Sequence, residues 1–93
     1  MTRQEWLDHI DTNFPRVPLA TLPTPLELAA NFGEQRGGPK VYVKRDDMTG
    51  LALGGDKPRK LEYLLAEALG QGADTVVTGG SSQSNHVRLT AAA

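Results

Sequence analysis

The period of the apolar positions changes along the chain, and each change marks an element. Leu61, Leu64, Leu65 and Ala68 recur at i, i+3, i+4 and i+7, the spacing of a helix with one buried face. The pattern predicts a helix over 57–69, with Asp56 as its cap, Pro58 just inside its start and Gly70 and Gly72 as its stop. Residues 40–45 (Lys-Val-Tyr-Val-Lys-Arg) alternate polar and apolar and are rich in β-formers, which predicts a strand. Residues 74–78 (Asp-Thr-Val-Val-Thr) are short and β-branched, the pattern of a buried parallel strand. Strand, helix and strand in this order form a βαβ unit with a right-handed crossover. A further helix opens at Ser84-Asn85-His86-Val87-Arg88 and runs into Ala91-Ala92-Ala93. Two strands leave open edges and half-covered faces, so the expected class is α/β, a truncated portion of an open parallel sheet.

Upstream, residues 3–13 predict a short helix whose Trp6, Leu7 and Ile10 dock on a core. Prolines 15, 18, 23 and 25 make 14–25 an extended connector. Thr24-Pro25-Leu26-Glu27 carries a cap and a capping-box partner, predicting a helix to about Gln35 that stops at Gly37-Gly38. The chain therefore divides into 1–38, helices and a proline-rich connector, and 39–93, the start of an incomplete α/β domain.

Charge and composition narrow the functions. Ten Lys and Arg against eleven Asp and Glu leave a net charge of -1, which argues against nucleic-acid or membrane-surface binding driven by global charge. Cysteine is absent, so disulfides and thiolate metal sites are excluded. Residues 1–14 lack the apolar segment of a signal peptide, and no run nears the roughly 18 apolar residues of a membrane span. A cytoplasmic location is expected. Asp46 and Asp47 lack the oxygen-rich company a hard cation needs, and Lys44, Arg45 and Arg59 are at hand to balance them; no metal is expected.

The candidate chemistry lies in Gly54-Gly55-Asp56-Lys57-Pro58-Arg59-Lys60. Lys57 falls in the first turn of a helix, at its positive end, beside Arg59 and Lys60. Those surroundings disfavour a protonated amine and suit a nucleophile that forms a Schiff base with an aldehyde cofactor. The plainer alternative is a solvated surface lysine after a Gly-Gly turn. Lys60, three residues on, shares the face of Lys57 and suits an anion near the helix end. Gly79-Gly80-Ser81-Ser82 could cradle an anion with backbone N–H groups, but it is neither GxGxxG nor a P-loop. Ser84 and Asn85 suit helix caps, and His86 either a base or a hydrogen-bonded structural residue. Both glycine-rich loops follow predicted strands, placing them at the sheet edge where ligands of open α/β sheets bind.

Several motifs then recur in a recognisable order: Phe14-Pro15-Arg16, Leu22-Pro23-Thr24-Pro25-Leu26-Glu27, Lys44-Arg45-Asp46-Asp47, Gly-Gly-Asp-Lys-Pro-Arg-Lys-Leu-Glu-Tyr, and Gln83-Ser84-Asn85-His86-Val87-Arg88. From about Phe14 to Ala93 they resemble the N-terminal part of the 1-aminocyclopropane-1-carboxylate deaminase / D-cysteine desulfhydrase family. These are pyridoxal-phosphate enzymes of the tryptophan-synthase-β-like fold. The resemblance implies that Lys57 binds the cofactor covalently and later shuttles the substrate proton. It places Lys60 at the cofactor phosphate and Asn85 at the ring hydroxyl. Gln83 and Ser84 lie where substrate is held, and Ser84 is also a catalytic candidate. The family usually has Asn where this chain has Asp56, which puts a carboxylate beside the lysine. The glycine-rich loop that chiefly holds the phosphate lies beyond Ala93 in the family, so the 93 residues alone are not expected to make a complete site.

The expected function is a pyridoxal 5'-phosphate-dependent lyase acting on a small amino acid. D-cysteine desulfhydration to pyruvate, ammonia and sulfide comes first, because Ser-Asn-His-Val-Arg is closer to the desulfhydrases. Deamination of 1-aminocyclopropane-1-carboxylate and L-cysteate sulfo-lysis come second. A homodimer is the expected assembly of the full-length protein. The rival of another class is a non-catalytic, truncated homologue that works only with a partner chain.

Overall fold

A computed structural model describes the backbone of residues 1–93 and the side chains of 1–33 and 37–93. Helix α1 spans Arg3–Asn13 and opens on a capping box, in which the Thr2 hydroxyl accepts from Glu5 N and the Glu5 carboxylate accepts from Thr2 N. Its apolar residues do not dock as expected: Trp6, Leu7 and Ile10 stay 52%, 43% and 37% exposed. The connector is anchored further on. Glu62 is buried, and its carboxylate accepts from Leu19 N (2.8 Å) and Ala20 N (3.1 Å), while its carbonyl accepts from Val17 N. A proline-rich segment has few internal partners for its N–H groups, and one buried carboxylate supplies two.

The segment after the connector departs from the sequence reading. Leu26–Leu28 is strand β1, and helix α2 starts only at Ala30, running Ala30–Arg36. β1 pairs antiparallel with β2, Tyr42–Lys44, in the register Leu26↔Lys44, Glu27↔Val43 and Leu28↔Tyr42. Pairing with Tyr42–Lys44 holds Leu26–Leu28 extended, so no helix starts after Thr24 for it to cap. Thr24 is instead buried, donating its hydroxyl to Asp46 Oδ1 at 3.2 Å. The Lys44 ammonium donates to the Thr24 carbonyl. β2 falls within the predicted 40–45, but residues 74–78 pair with no strand among the described residues. A ladder needs a strand alongside, and the sheet among the described residues consists of β1 and β2 alone. The expected parallel pairing across the crossover is therefore not made within the chain, and Val77 is 91% exposed.

Helix α3 spans Lys57–Gly70 and α4 spans Asn85–Ala92, close to the predicted bounds. Their contact buries Leu61 and Leu89, with Pro58 beside them. Burial of each leucine contributes about 1.5–3 kcal/mol. The radius of gyration, 16.8 Å, exceeds the about 12 Å of a compact domain of this length. This core is thin, and it lies directly behind the candidate site.

Candidate functional site

The site starts from the loop between β2 and α3. A 3-10 turn over Asp46–Met48 leads through Gly50 to a second over Leu51–Leu53, and four successive residues then hold positive φ: Ala52 at 41°, Leu53 at 74°, Gly54 at 79° and Gly55 at 126°. Ala52 and Leu53 pay a steric penalty for this, of order 1–3 kcal/mol each, so the surroundings must hold them there. Gly54 is required for a separate reason. A Cβ on it would sit 2.0 Å from the Asp47 carbonyl oxygen. The loop is pinned from below by Gly55 N, which donates to Asp46 O at 2.8 Å. The fully buried Thr49 hydroxyl donates to Gly55 O at 2.7 Å.

The two acids preceding this loop are taken up by arginines, as their neighbours suggested. Asp46 receives Arg59, and its carboxyl is held below the ordinary carboxylate range, chiefly by that hydrogen bond against the cost of burial. Asp47 is lowered in the same way by Arg45, which also bridges to Glu27. Arg59, predicted beside the reactive lysine, thus serves the frame.

Lys57 opens α3, one-third exposed at its side chain, with Nζ 3.7 Å from Asp56 Oδ2. Asp56 does not cap the helix as expected. Its backbone is already helical (φ -84°, ψ -18°), whereas a capping side chain works from an extended backbone. Lys60 is exposed, one turn along.

Ser84 caps α4 with its hydroxyl accepting from Val87 N at 3.3 Å, and Asn85 is the first helical residue. Gln83 is exposed and accepts from Ser82 Oγ. The His86 ring nitrogen Nδ1 is buried without a hydrogen-bond partner. Sequence reasoning missed the residue that ties this helix start to the lysine loop. Arg88 donates from Nη1 to Asn85 Oδ1 (2.9 Å), from Nε to Ala52 O (3.0 Å) and from Nη2 to Gly54 O (3.1 Å). The available signal was its i+3 spacing from Asn85, which puts both on one helical face. Lys57 and Asn85 therefore belong to two helix starts joined through one guanidinium and the loop ending at Gly54.

Residues 17–93 match the family model of pyridoxal-phosphate dependent enzymes. The chain is 54% identical over 86 residues to the D-cysteine desulfhydrases of Salmonella paratyphi B and Salmonella newport, covering 92% of this chain and 26% of each relative. A crystal structure of an ACC deaminase homologue superposes with a TM-score of 0.86 at 44% identity, over 99% of this chain and 27% of that one. The α/β class read from the sequence agrees with that neighbour. The chain thus spans about a quarter of the length of the relatives it matches. A match over 17–93, which takes in both helix starts and the loop between β2 and α3, establishes that the chain belongs to the pyridoxal-phosphate-dependent enzymes.

Proposed function

We propose that this chain supplies the lysine-bearing portion of a lyase that eliminates from a small amino acid, with D-cysteine as first substrate. The reaction consumes water and releases pyruvate, ammonia and sulfide. The observation that carries this reading is the 54% identity to D-cysteine desulfhydrases over nearly the whole chain. The donor set of the site fits pyridoxal phosphate. It offers a primary amine at a helix start, a second amine one turn on, and an Asn amide whose oxygen is already engaged by Arg88. When bound, the cofactor supplies an aldehyde for the amine and a pyridinium that draws electron density from the substrate.

In this reading Lys57 would hold the cofactor through Nζ and, once free, would take the substrate α-proton at that atom and pass it to the departing sulfur. Lys60 binds the phosphate by charge. Asn85 donates from its amide to the ring hydroxyl, and Gln83 and Ser84 hold substrate, with Ser84 close enough to the chemistry to act in it. Residues 39–93 begin the cofactor-binding domain, residues 1–38 flank it, and the complete protein is a cytoplasmic homodimer. The described residues include no helix long and apolar enough to cross a membrane.

The neighbouring ACC deaminase homologue supports a second reading, deamination of the cyclopropane amino acid. Incubating the complete protein with D-cysteine, 1-aminocyclopropane-1-carboxylate or L-cysteate, and measuring sulfide, 2-oxobutanoate or sulfite, separates the candidates. Sulfide from D-cysteine is expected. Absence of all three products from a protein that binds cofactor would overturn the lyase reading and favour a non-catalytic homologue. Borohydride reduction with the cofactor, followed by peptide mapping, should place one adduct on Lys57.

A further inference from the structure

We propose that Arg88 is the positioning residue of this site, fixing both the orientation of the Asn85 amide and the left-handed run that delivers Lys57. The inference rests on the reading of Lys57 and Asn85 as cofactor-facing residues. A guanidinium carries N–H donors and no acceptor, so the amide group it meets must turn its oxygen inward. Arg88 Nη1 lies 2.9 Å from Asn85 Oδ1, which leaves the two N–H bonds of that amide directed away from the arginine. Asn85 is thereby set to recognise an acceptor, such as an aromatic ring oxygen bearing negative charge, and to refuse a donor.

The same guanidinium reaches across to the other helix start. Nε and Nη2 take the carbonyls of Ala52 and Gly54, two residues of the positive-φ run that ends just before Asp56 and Lys57. Leu89, the next residue of α4, is fully buried, and its Cδ1 would meet a Cβ placed on Gly55 at 3.5 Å. Arg88 is thus seated by packing, and its three donated bonds have three different acceptors. A lysine at this position has a single ammonium on a flexible stem and cannot hold all three in a plane.

The test uses the complete protein and three readouts: thermal midpoint, cofactor affinity by equilibrium dialysis, and the pH dependence of the bound cofactor's absorption. Arg88→Lys should stay folded, bind cofactor about tenfold more weakly, the scale of one lost hydrogen bond, and shift the absorption profile. In an Asn85→Ala background the same substitution should cost less, because the amide it orients is gone. Asn85→Asp keeps an acceptor for Arg88 but removes the outward donors, so it should lose affinity with the midpoint unchanged or raised. That variant decides the matter if Arg88→Lys fails to fold. Wild-type affinity and spectrum in Arg88→Lys or in Asn85→Asp, or equal losses with and without Asn85, would overturn the proposal while leaving the cofactor reading intact. A wild-type protein that gives no borohydride adduct on Lys57 would overturn both.

Discussion

Arg59 grips Asp46 at two points, Nε to Oδ2 at 2.9 Å and Nη2 to Oδ1 at 2.8 Å, while the same Nη2 reaches Thr24 Oγ1 at 2.9 Å. The connector, the loop after β2 and the first turn of α3 are thereby joined through one carboxylate. Because Asp46 is held below the ordinary carboxylate range, its contribution has a definite pH dependence. It is complete above the unfolded value of about 4 and is lost as the pH falls through the depressed native value. The Asp47–Arg45 pair runs in the same direction. Arg59→Met should therefore lower the thermal midpoint at neutral pH, and the gap from wild type should close as the pH falls below the ordinary carboxylate range and through the depressed native value. A gap that is constant with pH would assign the loss to packing instead.

Gly54 and Gly70 make opposite predictions for the same substitution. At Gly54 an added methyl meets a backbone carbonyl at 2.0 Å, and φ is 79°. Gly54→Ala should cost at least about 2 kcal/mol by thermal or denaturant unfolding and displace the loop ahead of Lys57. At Gly70, the last residue of α3, an added methyl meets nothing within 4 Å. Gly70→Ala should be neutral or stabilise by about 0.5–1 kcal/mol. Similar losses at both positions would contradict the described loop.

The elements whose pattern is local were legible in the sequence: α1, α3, α4 and β2 fall where the apolar periods put them. β1 was not, because Thr24-Pro25-Leu26-Glu27 satisfies the helix-start signals, and only pairing with Tyr42–Lys44 overrides them. The exposed face of α1 was misread because an apolar stripe says that a face wants cover, not that cover is present. At the site, the positions of Lys57, Ser84 and Asn85 followed from helix starts. Arg88 did not, since its carbonyl partners Ala52 and Gly54 lie 36 and 34 residues away. Glu62 was hidden for the same reason; its partners Leu19 and Ala20 lie 43 and 42 residues away.

Glu62 should be among the residues least tolerant of truncation outside the site. Glu62→Ala leaves the N–H groups of Leu19 and Ala20 without their acceptor in a part-buried setting. The expected loss is about 2–4 kcal/mol. Glu62→Gln retains an acceptor oxygen and should lose clearly less. Thermal unfolding of the two variants checks this, and an equal loss would mean that the carboxylate acts by charge rather than by anchoring the connector.

Ser84 and Asp56 occupy equivalent positions, each immediately before a helix, yet the backbone lets only one of them cap. Ser84 is extended (φ -65°, ψ 120°) and its hydroxyl meets Val87 N. Asp56 is already helical and makes no capping bond; its carboxylate, 67% exposed, faces Lys57 at 3.7 Å. Ser84→Ala should therefore cost about 1 kcal/mol, the usual effect of a lost cap. Asp56→Ala should stay within about 0.5 kcal/mol of wild type, as a weak surface ion pair predicts. Asp56→Asn, which installs the residue usual in the resembling family, should be equally silent in stability. A loss near 1 kcal/mol in Asp56→Ala that Asp56→Asn restores would instead make Asp56 a cap in solution. It would then be the helix start, rather than the charge beside Lys57, that the residue serves.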